Sequence, residues 1–161
     1  MKPPGLLPPD SKPSGPREVQ VSFLLWIAAV AMGVLETVIR VIYSLSGGPE
    51  SSGLLIRVVV YTVAVYVIAQ MRSGKGWARL TLAVLLGGVG TLSLVIDPIS
   101  WLASGNSPGE VLAQADALFY FVAPIRVVHL AAVIAALVFM FVPAANTYFR
   151  DAGSGTKRTS G

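Results

Sequence analysis

The chain reads as an all-α protein, an integral membrane four-helix bundle with both termini in the cytoplasm. Three observations predict this. Four apolar runs each reach the roughly 18 to 20 residues that a helix needs to cross about 30 Å of hydrocarbon. Hydrophobic residues make up 54% of the 161 positions and charged residues only 12%, with a mean hydropathy of +0.71, a balance suited to lipid rather than water. Finally, the basic residues gather on alternate connectors, as the positive-inside rule requires of cytoplasmic segments.

Residues 1–20 carry Pro3, Pro4, Pro8, Pro9, Pro13 and Pro16 among polar neighbours. Such a composition builds no core, so this stretch is expected to be a disordered cytoplasmic tail. The first apolar run, 21–45, is too long for a signal-peptide core of about 7 to 15 residues and is read as a retained span. Residues 46–53, with Gly47, Gly48 and Pro49, form a short turn into the second run at 54–71. Arg72 to Gly76 is a tighter reversal, and the third run follows at 77–96. The connector from Asp97 to Asp116 is long and acidic. In it Ser107, Pro108 and Glu110 spell a helix start: a Ser cap, Pro at the first helical position and Glu at the third. The fourth helix, whose apolar run is 117–142, is therefore expected to begin there, above the bilayer, and bend at Pro124 before crossing. The spanning domain covers 21–148, and 149–161, rich in Gly, Ser and Thr, is expected to be a second disordered tail.

Orientation follows from charge. Lys2, Lys12 and Arg17 precede the first span, Arg72, Lys75 and Arg79 join the second to the third, and Arg150, Lys157 and Arg158 follow the fourth. These are nine of the twelve basic residues; the other two connectors hold none. The pI near 9.7 thus reflects contact with anionic head groups, and no nucleic-acid partner is expected. With no cysteine in the chain, disulfides, thiol redox chemistry and thiolate metal sites are excluded.

Two sets of side chains stand out within the spans. Small residues at four-residue intervals, Ala29, Gly33 and Thr37 in the first span and Ala83, Gly87 and Thr91 in the third, are expected to line helix-packing seams. Glu36, Arg40, Arg57, Asp97, Arg126 and His129 fall within about two turns of the outer face when each helix is counted out at 1.5 Å per residue. A lone charge in hydrocarbon is costly, so these groups should pair. One inner carboxylate facing three arginines leaves the cluster net positive, which suits a structural ion-pair layer or, alternatively, an anionic ligand, an acidic partner or lipid phosphate. His129 has no second His or Cys beside it in sequence, so no metal site is expected, nor any cofactor or catalytic residue.

At the second basic connector, Arg72-Ser73-Gly74-Lys75-Gly76-Trp77-Ala78-Arg79 resembles the Arg-x-Gly-x-x-Trp-Ala-Arg turn of small four-span membrane proteins of actinobacteria. The resemblance covers a turn and a span plan. It implies a multi-pass protein of the bacterial inner membrane and no particular activity.

The leading functional expectation is a non-enzymatic accessory or assembly subunit. Its partners would be the lipid bilayer and another membrane protein or a second copy of itself. The alternative is a small ion- or proton-coupled transporter using Glu36, whose span plan looks like that of the small multidrug exporters. A lipid-modifying enzyme with His129 and Glu36 as acid and base ranks third.

Overall fold

The protein is described by a computed structural model covering residues 15–47, 53–113 and 115–155. The rest of both expected tails and most of the first turn lie outside the described residues. Everything described is helix, turn or short connector, with no strand among these residues.

Helix α1 is Arg17–Leu45 and α2 is Leu54–Arg72. The third long helix is composite: α3 at Gly76–Leu82, a π-helical segment at Ala83–Gly90, and α4 at Thr91–Ala103. A short α5 at Pro108–Ala113 leads to α6 at Ala117–Phe141, and α7 at Pro143–Gly155 follows. Four helices are long and apolar enough to cross a membrane: α1, α2, the composite over Gly76–Ile96, and α6.

Several boundaries differ from the sequence expectation, each for a local reason. Helix α1 starts at Arg17, inside the expected tail, because Pro16 sits extended at its N-cap and Val19 is buried in the core. The third helix runs beyond Ile96, through Pro98, to Ala103, so much of the expected acidic connector is helical. The Ser107 signature starts α5 rather than the fourth long helix, with the Ser107 N–H donating to Glu110 Oε2 at 3.1 Å. Asp116 caps α6 instead, its Oδ1 accepting from the Phe119 N–H at 2.8 Å. Helix α6 passes through Pro124 and ends at Val142, which is extended because it precedes Pro143. Pro143 then opens α7, and Ala145, Tyr148 and Phe149 give that helix an apolar face. The expected C-terminal tail is thus helical as far as Gly155.

Cross-links fix the packing. Ser22 Oγ donates to the Ala136 carbonyl at 2.9 Å, while Glu36 meets Arg126. As position rises on α1 it falls on α6, so the two are antiparallel, and theirs is the most extensive helix interface. Arg72 lies over the Phe23 ring at 4.8 Å, and Tyr61 bonds to Gly33, which makes α2 antiparallel to α1 as well. In lipid the apolar tails solvate Leu and Val as well as a neighbouring helix does, so close packing and hydrogen bonds must hold such a bundle together. The fully buried Trp26, Ile68, Met71, Leu82 and Met140 supply that packing.

They lie toward the Arg17 end, where α7 closes the bundle. Arg79 is held between the Phe141 and Phe149 rings, at 4.8 and 5.0 Å, and donates to Asn146 Oδ1 at 2.6 Å. Gly74, at φ +81°, makes the turn between α2 and α3 and lies against α7. A Cβ there would sit 3.0 Å from that of Ala152. At this turn α2 and α3 are in contact. Farther along, α2 makes no comparable contact with the π-helical segment or α4, so the two long helices part toward the Leu45 end.

Candidate functional site

The separation of α2 from the third long helix opens a cavity of about 490 Å³ that all four long helices line. Glu36 on α1 reaches it with only 6% of its surface exposed. Its Oε1 accepts from Arg40 Nε at 2.9 Å, one turn along the same helix, and from Arg126 Nε and Nη2 at 3.1 and 3.0 Å across the α1–α6 interface. No bond to Glu36 Oε2 is made among the described residues. The spacing of Glu36 and Arg40 puts both on one face of α1. Arg126 meets them because the antiparallel register brings it to the same depth.

Arg57, one turn into α2, lines the cavity from the other side. Its Nη1 donates to Thr37 Oγ1 at 3.5 Å, the one hydrogen bond its side chain makes among the described residues, and no carboxylate there pairs with it. Thr37 Oγ1 itself bonds back to the Gly33 carbonyl at 2.9 Å and exchanges a 2.9 Å bond with the Tyr61 hydroxyl. That hydroxyl also lies 2.8 Å from the Gly33 carbonyl, so the two hydroxyl protons are shared over three contacts. His129 is half-buried in the wall, within hydrogen-bonding reach of the Ala29 backbone.

Of the six charged or titratable residues singled out in the sequence, Glu36, Arg40 and Arg126 form one ion-paired group, and Arg57 and His129 stand around the same cavity. Asp97 belongs to α4, but its side chain lies outside the described residues. No three His, Cys, Asp or Glu side chains are grouped to hold a metal ion among the described residues.

The two small-residue series are placed differently. Ala29, Gly33 and Thr37 are all buried on α1. Gly33 admits the Tyr61 side chain, whose Cε1 and hydroxyl would lie 3.1 Å from an added Cβ. Ala83 and Gly87 lie in the π-helical segment and Thr91 just past it, and all three are half-buried. Gly87 faces Leu137 of α6, where a Cβ would meet Cδ1 at 2.9 Å.

Of the wall residues, the sequence put Tyr61 and Ala64 on the Arg57 face of their helix without giving Tyr61 a partner, and it did not point to Ser93. A tyrosine in mid-span, facing a glycine on the neighbouring helix, is a usable signal for that partner. Ser93 bonds to the Gly90 carbonyl at 2.8 Å at the end of the π-helical segment, a geometry that the run Gly87, Gly88, Gly90 hints at without specifying. Compared with known protein families, curated proteins and solved structures, the chain finds no match in any of the three.

Proposed function

We propose that this chain is a non-enzymatic, multi-pass protein of the bacterial inner membrane, with both termini in the cytoplasm, that works by binding as an accessory or assembly subunit of another membrane protein. The observation that carries the reading is the interhelical cavity. It combines a part-buried cation that no carboxylate among the described residues pairs with, Arg57, and a wall that is polar at Glu36, Tyr61, Ser93, Arg126 and His129 and otherwise apolar. Polar groups at such a depth are costly unless something in the cavity satisfies them. Arg17, Arg72, Lys75, Arg79 and Arg150 collect at the opposite end, which by the positive-inside rule supports a cytoplasmic position for that end and an outer one for the cavity.

The geometry favours binding over the alternatives. A transport cycle coupled through Glu36 would have to break ion pairs to Arg40 and Arg126 at every turnover, each break leaving a poorly solvated charge. Acid-base catalysis through Glu36 would likewise have to free a carboxylate that Arg40 and Arg126 hold. Liposomes containing the purified protein test the reading. They should show neither proton-coupled flux nor lipid turnover. Photo-crosslinking groups at the outward-facing Leu55 and Leu92 should capture another membrane protein in the native membrane. Flux or turnover that disappears in Glu36→Gln would overturn it.

A further inference from the structure

We propose that the cavity holds the phosphate headgroup of an anionic amphiphile, with Arg57 as the principal anion-binding residue and the apolar chains leaving between α2 and the third long helix. This rests on reading the cavity as a binding site and names its ligand.

The walls are graded in polarity along the bundle. Toward the Leu45 end stand Glu36, Arg57, Ser93 and Arg126; about two turns deeper, roughly 10 Å at 1.5 Å per residue, stand Val30, Ala64, Leu86 and Val133. A ligand matching that gradient has a charged head and an apolar body. A small soluble anion would use the first set and leave the second in contact with nothing it prefers.

Among the described residues the charge lining the polar end of the cavity is positive, Arg57 and Arg126 against Glu36. Arg126 spends two of its N–H groups on Glu36, and Arg57 spends one on a long bond to Thr37. The remaining guanidinium donors match the paired oxygens of a phosphate better than any other common headgroup. Among the described residues Glu36 takes its bonds on Oε1, which leaves Oε2 to accept from a headgroup hydroxyl. A glycerol phosphate diester carries both features.

Size and access agree. A volume of about 490 Å³ falls within the usual range for small-ligand sites. It accommodates a headgroup and the first part of its chains but not a whole diacyl lipid. The chains must therefore leave sideways, and the parting of α2 from the π-helical segment and α4 supplies the exit.

The test is native mass spectrometry of the full chain in mild detergent, titrated with phosphatidylglycerol, diacylglycerol with the same chains, and glycerol 3-phosphate. Phosphatidylglycerol should be retained at least about tenfold more tightly than diacylglycerol, the equivalent of losing one charge-assisted bond. Arg57→Gln should abolish the difference and Arg57→Lys should keep part of it, while Lys75→Gln at the opposite end should change nothing. The thermal midpoint of lipid-free Arg57→Gln should stay near that of the parent, which separates loss of the site from loss of the fold. Equal retention of phosphatidylglycerol and diacylglycerol by the parent protein would overturn the proposal, leaving an acidic side chain of a protein partner as the counter-charge. Glycerol 3-phosphate held as tightly as the lipid would overturn the amphiphile assignment. Flux in liposomes, in contrast, bears on the binding role and not on the headgroup.

Discussion

Arg126 and Glu36, ninety residues apart in the chain, are joined by two N–H groups of one guanidinium on a single carboxylate oxygen, at 3.1 and 3.0 Å. The link lies across the α1–α6 interface and fixes its register at the Leu45 end, as the Ser22 bond to Ala136 does nearer the Arg17 end.

Replacing Glu36 with Gln should therefore destabilise the bundle on the order of 2 kcal/mol. That is less than the loss of a fully dry pair, because the arginine side chains stay about a third exposed. In double-mutant cycles read by thermal stability in detergent, Glu36 should couple to Arg126 and to Arg40, because removing the orphaned cation recovers part of the loss. Its cycle with Arg57 should be additive. Coupling to Arg57 as strong as that to Arg126 would contradict the pairing.

Tyr61 and Gly33 form the second close relationship. Tyr61→Phe should cost about 1 kcal/mol through the lost bonds to Gly33 and Thr37. Gly33→Leu should cost more, because it drives a side chain into the Tyr61 ring. Leu24→Ala is the outward-facing comparison, at 63% exposed, and should leave the melting temperature nearly unchanged. An unchanged melting temperature in Gly33→Leu would mean that Tyr61 does not lie there.

At Gly87 the obstructing atoms are the terminal methyls of Leu137, which can rotate away. Gly87→Ala should thus be mild and be further relieved in a Leu137→Ala background, whereas Gly87→Leu should impair folding. Thermal scans of the three variants in detergent decide this. Equal losses for Ala and Leu at Gly87 would point to a backbone clash instead.

The long helices were legible because an apolar run of sufficient length has few other uses, and the pairing of Glu36 with Arg40 because four-residue spacing is intrinsic to the α-helix. The choice of Arg126 rather than Arg57 as the cross-helix partner of Glu36 was not legible, since it depends on the register of α1 against α6. The π-helical segment was hidden for a related reason: Ala83, Gly87 and Thr91 have α-helical spacing in sequence, and only the backbone shows the wider turn. Helix α7 was concealed by the Gly, Ser and Thr after Asp151. Its apolar face, Ala145, Tyr148, Phe149 and Ala152 at helical spacing, was nevertheless present in the sequence.

That face carries a fourth prediction. Phe149→Ala removes a nearly buried ring, 6% exposed, and one side of the Arg79 sandwich. It should cost about 3 kcal/mol and raise hydrogen exchange across Pro143–Gly155 before the other helices respond. Exchange in α7 that is already at the unprotected rate in the parent protein would show that the helix does not dock.

The account depends most on the placing of the two ends of the bundle, and the native absence of cysteine makes it directly measurable. Single cysteines at Ser73, in the Gly74 turn, and at Ser104, after α4, should be treated in intact cells with a membrane-impermeant thiol reagent. Ser104→Cys should label and Ser73→Cys should label only after the cells are opened. Labelling of Ser73→Cys in intact cells, alone or together with Ser104→Cys, would contradict a single orientation with cytoplasmic termini and an outer cavity.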